Sequence, residues 1–202
     1  MKHEADEFNQ LWQEEGLTQI RAILHVTSHW MAIPLFSLFW FADILYYPAL
    51  KWEFLAIRAL TIPICLSVNY LVKKINSFKK AQALASVYAI ALALEINAMI
   101  YLISDPGTSY YAGLNLIAIG SLSFIPFTRK FYAATAAGIY LPFFIIALSN
   151  TTNATELHSV IVMSCFILSS VCMCFLIRDF HEGTRKKELR AKLALSSEIT
   201  SR

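Results

Sequence analysis

Glycine is scarce in this chain: there are 6 among 202 residues, scattered so that no glycine-rich loop could cradle a phosphate group. The G-x-S-x-G turn that exposes the nucleophile of α/β-hydrolases is also absent. These two absences argue against nucleotide-binding and serine-hydrolase chemistry. We expect the chain to have no enzymatic activity by itself.

Cysteine and charge are also sparse. The 4 cysteines all lie in apolar stretches, where a thiol behaves as a small hydrophobic group, and no Cys-x-x-Cys-His haem-attachment motif occurs. Only 15% of the residues are charged. The net charge of +3 is explained by basic loops that face an anionic lipid leaflet, so no nucleic-acid partner is required.

Long apolar runs make up most of the sequence. Hydrophobic residues account for 57% of the chain, and the mean hydropathy is +0.53. A soluble helical bundle with such short connections would have too little polar surface to cover its core. Each run is close to the ~20 residues with which a helix crosses a bilayer. We therefore predict an all-α, polytopic membrane protein with six transmembrane helices, at residues 26–47, 54–72, 81–103, 111–127, 131–148 and 160–177.

The basic residues are distributed unevenly between the loops. All but two of the 17 Lys and Arg residues lie on one side of the alternating segments, the exceptions being Lys51 and Arg58. The positive-inside rule then places both termini in the cytoplasm, as in a protein of the bacterial inner membrane. The first 25 residues are polar and acidic, so no cleavable signal peptide is expected.

The two ends of the chain flank this membrane domain. We predict a cytoplasmic amphipathic segment at 1–25, the six-helix domain at 26–178 and a basic signalling helix at 179–202 whose output domain is absent. The N-terminal helix could lie on the inner membrane surface, but its acidic face favours docking on the basic tail, and Gly16 could break it. Apolar tail positions could begin a parallel homodimer seam: Leu189, Leu193, Leu195 and Ile199.

Polar residues inside the apolar segments are costly and are candidates for function. At ~1.5 Å per residue, five of them share a layer in the outer third of the membrane. Arg58 is expected to pair with Asp43 or Glu95, either as a structural staple or as part of a pocket for a lipophilic ligand. The predicted ligand-binding residues are Asp43, Arg58, Glu95, Asn97 and Asn115, with an aromatic wall that includes Trp40, Phe41, Tyr46, Tyr47 and Trp52.

Histidines form a second candidate site at the inner boundary. His25 and His29 are four residues apart on one helix face, and His181 lies just past the sixth segment. If the three imidazoles meet, they could bind a transition metal, or two of them could bracket a b-type haem. Interfacial histidines that hydrogen-bond to loop carbonyls are the alternative.

The arrangement resembles a known receptor family. The similarity rests on the short-looped helices, on Pro34, on the stretch WEFLAIR at 52–58 and on Arg178 followed by His181 and Glu182. Over about residues 30–190 the chain is similar to the membrane domain of the α-hydroxyketone quorum-sensing receptor kinases, and similar six-helix anchors precede class III adenylyl cyclases. The resemblance implies a dimeric receptor that detects a lipophilic ligand and passes the signal along the sixth helix.

Three functions therefore remain open from the sequence. The first is a membrane sensor domain of a histidine kinase or adenylyl cyclase, with no cofactor of its own. The second is a b-haem redox sensor or electron carrier. The third is a small transporter, which would require a polar path through the midplane, for which Asn69 gives little support.

Overall fold

A computed structural model describes residues 2–104 and 108–201, and within them every regular element is helical. Five helical stretches are long and apolar enough to cross a membrane, which confirms the all-α class and is consistent with a membrane protein. The elements are α1 (Lys2–Val26), a π-helical segment (Thr27–Ala32), α2 (Ile33–Tyr46), a 3-10 turn (Pro48–Leu50), α3 (Lys51–Ala59), α4 (Thr61–Lys74), α5 (Phe78–Ile103), α6 (Tyr111–Phe124), α7 (Arg129–Asn150) and α8 (Ala154–Ser201).

The fourth predicted crossing is shorter than expected. Helix α6 has 14 residues and therefore spans ~21 Å, less than the roughly 30 Å of a hydrocarbon core. It ends because Ile125 precedes Pro126 and adopts the extended backbone that a residue before proline prefers. Five of the six predicted crossings thus have full length, and α6 does not.

The amphipathic N-terminal helix is continuous with the first crossing. α1, the π-helical segment and α2 follow one another without a non-helical residue, so the helix does not break at Gly16. Instead, Gly16 marks a close approach: a Cβ atom there would lie 2.5 Å from Cε2 of Phe78 and 2.9 Å from Nη2 of Arg185. The glycine lets α1 pack tightly against the start of α5 and against α8.

The second crossing is divided into α3 and α4 at Leu60. Pro63 has no backbone N–H, so it cannot donate to the carbonyl of Ala59, where α3 ends. The Leu60 N–H instead bonds to the carbonyl of Ile57 at 3.0 Å. This tight turn places Arg58, near the end of α3, close to Thr61, at the start of α4.

Helix α5 is the centre of the bundle and the most buried of the long apolar helices. α3, α4, α6, α7 and α1 all pack against it. On the α7 side, a Cβ atom at Gly138 would lie 2.5 Å from Cδ1 of Ile90, so the glycine permits the close approach of these two helices. Four polar side chains of α5 are therefore held inside the protein: Gln82, Ser86, Glu95 and Asn97.

Helix α8 joins the apolar bundle to the basic tail. It has 48 residues and is ~72 Å long, and it continues without a break across the domain boundary predicted at residue 178. Its apolar half packs against α6 and α7, and its basic half contacts α1. A displacement of the apolar half would therefore be transmitted directly to the tail.

Candidate functional site

An ion pair lies at the turn between α2 and α3, in the part of the bundle that the sequence predicts to be the outer half. The guanidinium of Arg58 donates from Nε to Oδ2 of Asp43 at 2.5 Å and from Nη2 to Oδ1 at 3.0 Å, and the Tyr110 hydroxyl also donates to Oδ1. Asp43 is 1% exposed and Arg58 is 6% exposed. Of the two partners predicted for Arg58, the one it directly pairs with is Asp43.

Glu95 lies beside this ion pair on α5. Its Oε2 accepts a hydrogen bond from the Thr61 hydroxyl at 2.6 Å, and it is close enough to Arg58 to interact electrostatically. We call these residues the outer ion-pair cluster: Asp43, Arg58, Thr61, Glu95 and Tyr110. The sequence analysis missed Thr61, although it lies one turn after Arg58, and Tyr110, for which the sequence carried no signal.

Several buried polar atoms of the predicted site have no hydrogen-bond partner among the described residues. In the outer ion-pair cluster these are Nη1 of Arg58 and Oε1 of Glu95. Asn97 Oδ1 and Asn115 Nδ2 are in the same situation. An unsatisfied buried polar atom costs about 1–3 kcal/mol, so a protein that retains several close together usually uses them to bind water or a ligand.

The two asparagines do not join the outer ion-pair cluster. Glu95 and Asn97 are two residues apart on a helix with 3.6 residues per turn, so they face nearly opposite sides of α5. Asn97 Nδ2 donates to the carbonyl of Ile139 on α7 at 3.3 Å, and Tyr140 donates to Oδ1 of Asn115 at 2.7 Å. The single polar layer predicted from helix depth is therefore two clusters separated by α5.

The aromatic wall also differs from the prediction. Trp52 is 65% exposed, and the Trp40 indole donates to the carbonyl of Lys51 at 3.1 Å. Phe41 and Tyr46 are likewise exposed, while Tyr47 is the predicted wall residue that contacts the cluster, through Tyr110. The rings that surround the cluster belong to Phe36, Phe39, Tyr47 and Phe54.

An apolar groove opens below the cluster, between the first crossing, α5 and α6. It encloses about 100 Å³, and Phe36, Leu92 and Leu116 are among the residues that line it. The ring centroid of Phe36 also lies 5.8 Å from the guanidinium carbon of Arg58. The groove and the charged cluster are thus adjacent, as an apolar slot with a polar end.

The histidines separate into two places. His25 Nδ1 lies 3.2 Å from Oδ1 of Asn69, His29 Nδ1 lies 3.1 Å from Nδ2 of Asn69, and Ser28 accepts a hydrogen bond from the same amide. These four residues form the histidine–asparagine cluster at the π-helical segment, a type of distortion that is frequent at functional sites. No residue pattern in the sequence indicated the distortion.

The predicted meeting of three imidazoles is wrong. The His181 ring packs against Phe124 and Phe180, at centroid distances of 6.3 and 6.2 Å. It lies beside α6, whereas His25 and His29 contact Asn69 of α4. Within the described residues no group of three His, Cys, Asp or Glu side chains is placed to hold a metal ion.

The N-terminal helix α1 docks on the tail, as its acidic face predicted. Arg185 Nε donates to Glu15 at 3.2 Å, Lys192 Nζ donates to the same carboxylate at 3.0 Å, and the Arg185 guanidinium carbon lies 3.9 Å from the Trp12 ring centroid. Burial of Glu15 opposes its ionisation, but these hydrogen bonds outweigh that effect and lower its pKa below the usual value. We call this contact the α1–α8 clamp.

The clamp also affects the predicted dimer seam. Leu189 is buried within the chain itself and lines a cleft together with Leu11 of α1. Leu195 is exposed. A parallel dimer that used Leu189 would therefore have to displace α1, which couples the position of α1 to any pairing of the tail helices.

A larger cavity of about 480 Å³ lies above the clamp, between α1, the α6–α7 loop and α8. Arg178 spans its upper end by donating to the Phe127 carbonyl at 2.9 Å and to Glu182 at 2.7 Å. These bonds tie the exit of α8 to the α6–α7 loop. The clamp residues Trp12, Glu15 and Arg185 line the same cavity, at the point where α8 leaves the bundle.

Comparison with protein-family models, with characterised proteins and with solved structures finds no match to this chain.

Proposed function

We propose that the chain is the membrane sensor domain of a signalling receptor, that it binds an amphipathic lipophilic ligand at the outer ion-pair cluster, and that α8 conveys occupancy to a cytoplasmic kinase or cyclase domain. The observation that supports the proposal best is the pair of unsatisfied atoms, Nη1 of Arg58 and Oε1 of Glu95. A ligand that carries both a donor and an acceptor would satisfy both atoms.

The surroundings of the cluster favour a lipophilic molecule. Phe36 and Phe39 flank Arg58, and the apolar groove begins at Phe36. Small-molecule sites typically combine a mainly apolar lining with a few convergent polar groups. A hydroxyl or carbonyl headgroup would occupy the cluster, and its hydrocarbon chain would follow the groove between α2 and α6.

Transmission requires that the ligand favour one of two packings of α8. α8 packs on α6, and α6 lines the apolar groove, so occupancy of the groove bears directly on that contact. The α1–α8 clamp then holds the tail in one position relative to the bundle. A parallel homodimer of tails, with α1 released from Leu189, is the active arrangement in this proposal.

The orientation in the membrane is part of the same proposal. α1, the α4–α5 loop, the α6–α7 loop and the basic tail meet at one end of the bundle, as the contacts of Arg21 with Ile75 and of Arg178 with Phe127 illustrate. That end carries most of the Lys and Arg residues. We place it in the cytoplasm, at the inner membrane of a bacterium, with anionic lipids around it.

The test is to identify what the protein binds. We would purify the chain from membranes in mild detergent and measure bound small molecules by native mass spectrometry, in the wild type and in Glu95→Leu. The matched control is Gln82→Leu, which removes another buried polar side chain of α5, at its inner end. The proposal predicts an amphipathic molecule that is lost in Glu95→Leu and retained in Gln82→Leu.

The same sample decides the haem alternative. If the purified protein shows a Soret band that disappears in His29→Ala or His181→Ala, and Glu95→Leu binds the same small molecules as the wild type, the lipophilic-receptor proposal is refuted. A b-haem redox sensor would take its place.

A further inference from the structure

One face of α4 carries a column of buried polar side chains that begins at Thr61 of the outer ion-pair cluster and continues beyond the proposed ligand site. Thr61, Cys65 and Asn69 are spaced by four residues, so they stack along this face, and all three are buried. The column covers ~12 Å of helix and extends from the outer ion-pair cluster to the histidine–asparagine cluster. Polar groups at such depth are costly, and they mark proton and ion pathways in many membrane proteins.

Each level of the column meets a titratable side chain from another helix. Thr61 donates to Glu95 at 2.6 Å, the Cys65 thiol lies 3.7 Å from the Tyr88 hydroxyl, and the Asn69 amide lies between His25 and His29. Glu95 and Tyr88 are seven residues apart on the same face of α5. Two helices therefore present matching polar faces to one another.

The two ends of the column differ in their exposure. His25 and His29 are exposed at the end of the bundle where the basic loops lie, whereas Glu95 is buried and keeps Oε1 without a partner among the described residues. Imidazoles exchange protons with water near neutral pH. A buried carboxylate is the group at the other end that can accept one.

We propose that the column is a proton-exchange path from the inner boundary to Glu95, an activity separate from ligand binding. A proton leaves the imidazolium of His25 or His29, and one is taken up by the Glu95 carboxylate, with no change in oxidation state. The Tyr88 hydroxyl, the Cys65 thiol and the Thr61 hydroxyl relay it. Successive levels are one helical turn, ~6 Å, apart, which is the span of two hydrogen bonds through one water molecule.

The amide of Asn69 has a positioning role. It cannot easily give up a proton, but it contacts both imidazoles and Ser28, and its Nδ2 donates to the Cys65 carbonyl at 2.9 Å. It therefore holds the two imidazoles directly below Cys65.

Other groups face the two ends and enter any pH dependence. Glu95 is faced by Arg58 from α3, by Thr61 and Cys65 from α4 and by Tyr88 one level below it on α5. The histidines are faced by Asn69, with Arg21 one turn further from the bundle and bonded to the Ile75 carbonyl at 2.6 Å.

The experiment follows the protonated-carboxyl band of the full chain in lipid nanodiscs by infrared spectroscopy after a pH jump. Glu95→Gln identifies the Glu95 band by its loss. Cys65→Val, which removes the relay hydrogen, is expected to slow protonation of Glu95 by roughly tenfold with the same end point, since one hydrogen-bonded step is lost. Cys65→Ser retains an exchangeable hydrogen and should remain close to the wild-type rate.

Cys174→Val is the matched control, because Cys174 is also fully buried but lies on α8, outside the column. Glu95 should be protonated in Cys174→Val at the wild-type rate. If Cys65→Val proves too unstable to measure, Tyr88→Phe takes its place, and protonation of Glu95 should be slow in it as well. The proposal is overturned if no titrating band is lost in Glu95→Gln, if Cys65→Val is as fast as the wild type, or if Cys65→Ser or Cys174→Val is as slow as Cys65→Val.

Discussion

The ion pair between Arg58 and Asp43 should dominate the energetics of the outer half of the bundle. Asp43 is almost fully buried, and its carboxylate receives two hydrogen bonds from Arg58 and one from Tyr110. In Arg58→Leu the Asp43 carboxylate keeps only the hydrogen bond from the Tyr110 hydroxyl. Removing one partner of a buried pair typically costs about 3–5 kcal/mol, because an uncompensated charge remains in an apolar environment.

The double variant should be much less destabilised than the sum of the single variants. Asp43→Leu leaves the guanidinium of Arg58 without its partner, so it should also cost about 3–5 kcal/mol, but in Asp43→Leu/Arg58→Leu neither charge is left behind. We therefore expect a coupling energy of at least about 3 kcal/mol in a double-mutant cycle. The free energies come from reversible unfolding in mixed micelles titrated with SDS.

An exposed ion pair of the same chain is the control. Lys192 is 66% exposed and binds Glu15 at the surface, so Lys192→Met should change stability by less than about 1 kcal/mol. If Arg58→Leu and Asp43→Leu were each as mild as Lys192→Met and their effects were additive, the ion pair would not be a stabilising element, and our account of the outer ion-pair cluster would be wrong.

Three further predictions concern packing, pH and topology. Gly138→Ala should lower the free energy of unfolding by about 1–3 kcal/mol through overpacking of α5 against α7, whereas Gly120→Ala, whose added Cβ meets no atom within 4 Å, should not destabilise the fold; SDS titration measures both. The pKa of Glu15 is lowered in the folded chain. Ionised Glu15 therefore stabilises the fold above its unfolded pKa, and this stabilisation is lost as the pH falls through its folded pKa. Hydrogen exchange of the α1 amides should accelerate on acidification, and it should accelerate less in Glu15→Gln. Single cysteines placed at Ser77 and Thr152 should be labelled from the cytoplasm and from outside, respectively, and labelling of the latter from inside would end the proposed topology.

Much of the helical fold follows from the sequence because the length of an apolar stretch is a strong, local signal. The partners of Arg58 could be narrowed to two by counting depth along ideal helices, and the acidic face of α1 correctly indicated docking on the tail. Both predictions depend on charge, which must be compensated wherever it is buried.

The remaining features depend on rotation about helix axes, which depth counting ignores. Asn97 was placed with Glu95 because the two share a depth, yet they face different helices. The π-helical segment changes the rotation of α2 relative to α1, and no pattern in residues 27–32 predicts such a segment. Tyr110 follows a loop, so its return to Asp43 is a tertiary contact with no local signal.

The most direct test of the receptor account is a chimera in which a histidine-kinase or cyclase output domain is joined after Ile199 in heptad register. Its activity would be measured in membrane vesicles with and without the amphipathic molecule identified by mass spectrometry. The account predicts that the molecule changes the activity, and that Glu95→Leu abolishes the response while Gln82→Leu retains it, with equal amounts of both variants in the membrane. Output that ignores the molecule, or that responds equally in Glu95→Leu, would contradict the account.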